Sequence, residues 1–183
     1  EGLRVAAVPV TRTDNFVSDR VNIVFGEPQY LEPDAGRDEQ REFDYRLIRH
    51  IAEGVVVNVS QVLAMLLYLR CLHGLPRGVE MSTLFDQVAQ VLKRVEGTHR
   101  IDADAGDVPG QVKKSLKWLG KAGMLRVRGS HIVLNREAIL SSPAPDREYR
   151  RKNPVKYLVN QLLHFPDVAA AAEEVALSRM APG

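Results

Sequence analysis

One cysteine, Cys71, is all the thiol that 183 residues provide. A single thiol excludes an internal disulfide and a cysteine-based zinc site, and it fits a reducing compartment. A charge excess is also lacking. The chain has 25 Lys and Arg against 23 Asp and Glu, a net charge of +2. Bulk charge therefore points to neither nucleic acid nor a membrane surface as a partner. No long apolar run is present. The longest, from Val55 to Leu69, is interrupted by Asn58, Ser60 and Gln61 and stops at Arg70, short of the roughly 20 residues a spanning helix needs. The chain opens at Glu1 without a targeting segment and runs at once into Val5-Ala6-Ala7-Val8. This opening reads as a cut through a larger protein. The five histidines contain no pair three or four residues apart, so no helix offers a two-histidine zinc face. What the chain does have is 45% apolar and 26% charged residues. That is enough for a packed core, and it excludes a disordered, collagen-like or coiled-coil chain.

Charge is segregated along the chain. From Glu27 to Glu53 eight acids face four arginines, and from Gln111 to Arg136 seven basic residues stand without an acid. Valine-rich Leu3–Thr11 and Asn22–Phe25 read as strands, with a polar loop from Arg12 to Arg20 between them. The remainder reads mostly helical. Phe43, Leu47, Ile48 and Ile51 form one face of a helix that ends near Gly54. A helix apolar on most sides starts at Asn58 or Ser60, runs to His73 and is capped by Gly74, which makes it the candidate central helix. Ser82 is placed to cap a third helix, stopped by Gly97, and Asp107 a fourth, stopped by Gly123. Met124–Arg128 and His131–Asn135 alternate as a hairpin around Gly129-Ser130. After a linker at Ser141–Pro145, two further helices cover Pro154–Phe165 and Asp167–Met180. Cys71, inside the apolar helix, is expected to be a small buried hydrophobe. Leu63, Leu66, Leu67, Val88, Val91, Leu92, Leu116 and Leu119 are the expected helical core.

The stretch from Ser82 to Asn135 has the outline of a winged helix. Its fourth helix and hairpin carry Lys113, Lys114, Lys117, Lys121, Arg126, Arg128 and Arg136. Such a module would hold nucleic acid by phosphate contacts. Two features oppose this. The link from Gly97 to Asp107 is longer than the 3–4 residues of a helix-turn-helix turn. After Gln111 the fourth helix has no Asn, Gln or Arg to read base edges. A solvated helix face explains the lysines equally well.

Four segments, in order, resemble the glycerol-3-phosphate acyltransferase family. Val5-Ala6-Ala7-Val8-Pro9-Val10 is similar to the Val-Pro strand of the glycerolipid acyltransferases. Val21-Asn22-Ile23-Val24-Phe25-Gly26-Glu27-Pro28 resembles the Phe-Gly-Glu-Pro signature near the end of their catalytic domain. Asn58–Leu67 resembles the helix that opens their C-terminal region. Tyr157-Leu158-Val159-Asn160-Gln161-Leu162-Leu163-His164-Phe165 is similar to a Tyr-Arg-Asn…Leu-His-Phe signature near their C-termini, with Val159 in place of the arginine.

The resemblance implies a parent enzyme of phospholipid biosynthesis. It would transfer a fatty acyl group from acyl-CoA or acyl carrier protein to the sn-1 hydroxyl of glycerol 3-phosphate. The family's general base is a His followed, after four intervening residues, by an Asp that orients it, and that block precedes the Val-Pro strand. No catalytic residue is therefore expected here, and the chain alone is expected to be inactive. Val8, Pro9 and Val10 would line the substrate site by shape. Two look-alikes are set aside. Glu1-Gly2-Leu3-Arg4 leaves no room for the family's phosphate-binding block before the strand. His99 and Asp104 fit the His-x4-Asp spacing but fall after the sheet, in a polar loop.

The resulting expectation is a mostly helical α+β chain. Residues 1–33 would be the last strands of an α/β acyltransferase domain, and 38–183 a helical C-terminal region with one winged-helix-like hairpin. No metal and no cofactor beyond the acyl thioester is expected. The expected partner is the upstream catalytic part of the same protein, with peripheral contact at the cytoplasmic side of a membrane and no nucleic acid. A winged-helix nucleic-acid-binding module and a protein-interaction domain are the alternatives.

Overall fold

The computed structural model describes residues 5–15, 20–143 and 148–178. Leu3, Pro145 and Met180, the outer limits of three expected segments, lie outside the described residues. The fold is mostly helical α+β, 59% helix and 16% strand, with small antiparallel sheets. The chain divides after Val56 into two compact units.

Unit one contains β1 (Val5–Ala7), β2 (Val10–Asn15), β3 (Arg20–Phe25), β4 (Gln29–Leu31) and α1 (Arg37–Glu53). β2 and β3 pair antiparallel from Val10 opposite Phe25 to Asn15 opposite Arg20. β1 and β4 pair antiparallel with Val5 opposite Leu31. Between these ladders Val8 and Pro9 face the three residues Gly26, Glu27 and Pro28, the imbalance that makes a bulge. Pro9 has no N–H to give to a ladder, so the single strand expected over Leu3–Thr11 is broken in two. The Gly26 N–H closes the break by donating to the Pro9 carbonyl at 2.8 Å. Only glycine fits there, because a Cβ at position 26 would lie 2.7 Å from Pro9 Cγ. The polar loop expected to begin at Arg12 is strand as far as Asn15. Alternating Thr11, Arg12 and Thr13 find partners on β3, and pairing outweighs their polarity.

The hairpin's polarity is inverted. Thr11 and Thr13 are buried. The Thr11 hydroxyl donates to the Ile51 carbonyl at the end of α1, and the Val56 N–H donates to Thr13 Oγ1 at 3.1 Å. The opposite face carries Val10, Ile23 and Phe25, and it is exposed, Ile23 by 56% and Phe25 by 72%. The single apolar face expected for α1 is likewise split. Phe43 is buried and Leu47 half-buried, but Ile48 and Ile51 are exposed. Phe43 and Leu47 share a side, and the 100° step per residue carries Ile48 off it.

Unit two is built on α2 (Val59–Leu72). Asn58 and Gln61 form a capping box, with Asn58 Oδ1 accepting from the Gln61 N–H at 3.0 Å and the Asn58 N–H donating to Gln61 Oε1 at 2.9 Å. Gly74 follows the helix at a φ of 71°, the left-handed turn that glycine adopts without strain. β5 (Gly78–Glu80), α3 (Met81–Val95), a 3-10 turn (Ala103–Asp107), α4 (Val108–Lys121), β6 (Leu125–Arg128) and β7 (His131–Leu134) come next. α5 (Arg136–Leu140), α6 (Tyr149–Lys152), α7 (Pro154–Leu162) and α8 (Pro166–Leu177) complete the unit. α2 packs on α3, α4, α5, α7 and α8. A helix apolar all round has to be central, and all eight expected core residues are buried.

The hairpin of β6 and β7 forms as expected, and β5 adds to it in the order β5-β7-β6. This strand also moves the start of α3. Ser82 does not cap it. The N-cap is Glu80, without a side-chain bond, because residues 78–80 are held in the ladder against β7. Asp107 does cap α4, accepting from the Gly110 N–H at 3.0 Å.

Candidate functional site

The four segments of the acyltransferase resemblance meet in pairs. In unit one the Val-Pro strand and the Phe-Gly-Glu-Pro turn are the two sides of one bulge, locked by Gly26 on Pro9. Of the three expected substrate-lining residues, Val8 and Val10 are exposed and Pro9 is buried. In unit two, α2 packs most extensively on α7. The two are joined by Gln61 Nε2 donating to Gln161 Oε1 at 2.8 Å, across 100 positions of sequence. Asn160 Nδ2 donates to the Tyr149 hydroxyl at 3.2 Å. Val159, which stands where the family has arginine, is 4% exposed. A cation at this position would be buried.

His99 is paired with a carboxylate of α8, and the side chain of Asp104 lies outside the described residues. The His99 Nε2 lies 2.7 Å from Asp167 Oδ2 at the start of α8, and its ring meets Phe165 edge-on at 4.6 Å between centroids. Partial burial pushes the Asp167 carboxyl up. The hydrogen bond from His99, its charge and the backbone N–H groups of Val168 and Asp167 outweigh that and hold the carboxyl below its usual value. The pair ties the 95–102 segment to α8 and has the geometry of a structural bond. His73 and His131 also have carboxylate partners, Glu173 at 2.9 Å and Glu80 at 2.7 Å. Cys71 is buried, and burial pushes its thiol up despite the charge and hydrogen bond of Arg136. A protonated, enclosed thiol is a poor nucleophile. No group of three or more His, Cys, Asp or Glu among the described residues is placed to hold a metal.

The basic residues divide. Lys113, Lys114, Lys117 and Lys121 are exposed on the outer arc of α4, with Lys113 Nζ 5.8 Å from the centre of the Phe85 ring. Arg126 and Arg128 are exposed on β6. Arg136 leaves this group, because its Nη2 donates to the Leu75 carbonyl at 3.0 Å beyond the end of α2. Arg77 joins it, which sequence reasoning missed because a lone arginine after a proline carries no periodic signal. Arg77, Arg126 and Arg128 line a cavity of about 520 Å³ with Leu125, Val133 and Leu134.

Comparison of this chain with protein families, with curated proteins and with solved structures returned no match.

Proposed function

We propose that this chain is the C-terminal part of a glycerol-3-phosphate acyltransferase-like enzyme, completing and supporting its catalytic domain. The observation that carries the reading is the pairwise meeting of the four family-like segments, Pro9 on Gly26 and α2 on α7. Segments that match a family only by chance have no reason to be packing partners. The uncovered apolar face of unit one supports the same reading. Eight of the twelve large exposed apolar side chains among the described residues belong to unit one, Val10, Ile23 and Phe25 of them on one face of the hairpin, and exposed apolar patches often mark a binding surface.

In the parent, a His general base would take the proton of the glycerol 3-phosphate hydroxyl as that oxygen attacks the thioester carbonyl. The tetrahedral intermediate would collapse with loss of the thiolate, and cationic groups would hold the phosphate. This chain would supply shape. The strand end at Val8, Pro9 and Val10 would form one wall, and the Ile23 and Phe25 face would seat against the rest of the sheet.

A radiolabelled acyl-transfer assay tests the proposal. The parent protein is expected to acylate glycerol 3-phosphate, the isolated chain is not, and Phe25→Asp in the parent is expected to reduce turnover through loss of docking. A parent without turnover, or turnover by the isolated chain that disappears with His99→Ala, would overturn it.

The third strand favours the winged-helix alternative, since β5 completes the sheet behind the hairpin. Against it, Gln111, the one Asn, Gln or Arg of α4, is 6% exposed.

A further inference from the structure

We propose that the face of unit two formed by α4 and the β6–β7 hairpin docks on an anionic phospholipid bilayer. This does not rest on the acyltransferase reading, since every observation behind it lies in unit two.

The first observation is positive charge without an acidic partner. From Val108 to Arg136 there is no acid in the sequence. Elsewhere in unit two acids lie within reach of some cations, as in Arg94 with Glu174 at 2.8 Å. On this face none of Lys113, Lys114, Lys117, Lys121, Arg126 or Arg128 is in an ion pair among the described residues. Glu80 on the neighbouring strand is already bonded to His131. The lysines extend over about 12 Å of helix, a spread of point charges suited to several phosphates at once.

The second observation is what lies among the cations. The arginine-lined cavity has an apolar floor of Leu125, Val133 and Leu134. Val133 is exposed opposite Arg126 on the face that carries Arg128, and Val127 is exposed on the other face of the hairpin. An anionic head with hydrocarbon behind it matches that arrangement. A sugar-phosphate backbone offers no acyl hydrocarbon, and α4 presents no exposed Asn, Gln or Arg to read a base edge. Gly120, on the flank of α4 next to Lys117 and Lys121, forms part of the cavity wall, so the lysine arc and the cavity are contiguous. The lysines would provide salt-screened attraction to the surface. The arginines would grip one headgroup phosphate with their planar forks.

Flotation of the 183-residue chain with vesicles tests this. One set is phosphatidylcholine alone, and the other contains phosphatidylcholine and phosphatidylglycerol in equal parts. The chain is expected to float with the anionic set only, and less so as salt rises. Lys114→Gln, Lys117→Gln and Lys121→Gln together should lower partitioning on the order of a hundred-fold, and Arg126→Gln with Arg128→Gln about thirty-fold. Melting temperatures report whether these variants fold. As a second control, Lys114→Arg with Lys117→Arg keeps the charge and should bind like the native chain. Equal binding to neutral vesicles, no binding, or folded variants that bind normally would overturn the proposal. So would duplex DNA held more tightly than vesicles at the same salt through the same side chains, which would assign the face to nucleic acid.

Discussion

Asn153 joins two helix ends with one side chain. It is fully buried. Its Nδ2 lies 3.1, 3.0 and 2.9 Å from the carbonyls of Ala138, Ile139 and Ser141 at the end of α5. Its Oδ1 accepts from the Lys156 N–H at 2.9 Å at the start of α7. Two amide protons are therefore shared among three carbonyls. Asn153→Ala removes an N-cap and strands buried carbonyls together, so it should cost roughly 2–4 kcal/mol in urea denaturation. Cys71 makes a second residue-scale test. A raised, enclosed thiol should react with iodoacetamide in the native chain far more slowly than in the unfolded chain. The third is Asp167, whose carboxyl is held below its usual value in the folded chain. The unfolded chain binds that proton first as the pH drops. The stability from this carboxylate is thus fully present above the unfolded value and is lost as pH falls through the folded one. Asp167→Asn should flatten the decline of melting temperature as pH falls below the ordinary Asp value of about 3.9.

Among elements, α2 has the most to lose. Leu67 is fully buried within it, and Leu67→Ala should cost roughly 2–5 kcal/mol by chemical denaturation. A loss under about 0.5 kcal/mol, the range of surface sites, would contradict the central place of this helix. α2 was legible because its apolar residues leave no polar side and because Asn58 and Gln61 stand at capping-box spacing. The ladder of β5 was not legible. Gly78, Val79 and Glu80 show no alternation, and they are strand only because β7 offers a free edge. Nor was the direction in which unit one turns its residues. Alternation in β2 and β3 shows that two faces differ, but the side that meets α1 is decided by Thr11 and Thr13 reaching the backbone of Ile51 and Val56. The same limit applied to the basic residues. The four-residue spacing of Lys113, Lys117 and Lys121 placed those three on one outer stripe, whereas the diversion of Arg136 to Leu75 and the arrival of Arg77 depend on long-range packing.

At the scale of the whole molecule, the two units differ in how they dispose of apolar surface. Unit two encloses its own, around α2. Unit one has two short ladders and a helix with exposed Tyr45, Ile48 and Ile51, and two-stranded pieces are marginal alone. Residues 57–183 expressed separately should therefore melt cooperatively. Residues 1–56 should bind a hydrophobic dye and fail to melt sharply. Phe25→Lys in the full chain should lower dye binding without changing the main transition.

The bulge in unit one has a consequence for descent. Position 26 tolerates nothing larger than glycine only while a proline ring occupies position 9, because the obstructing atom is Pro9 Cγ at 2.7 Å. The two sites should therefore change together in lineages of this chain. A lineage that loses the ring at position 9 is released to accept alanine or serine at position 26, and one that keeps it is not.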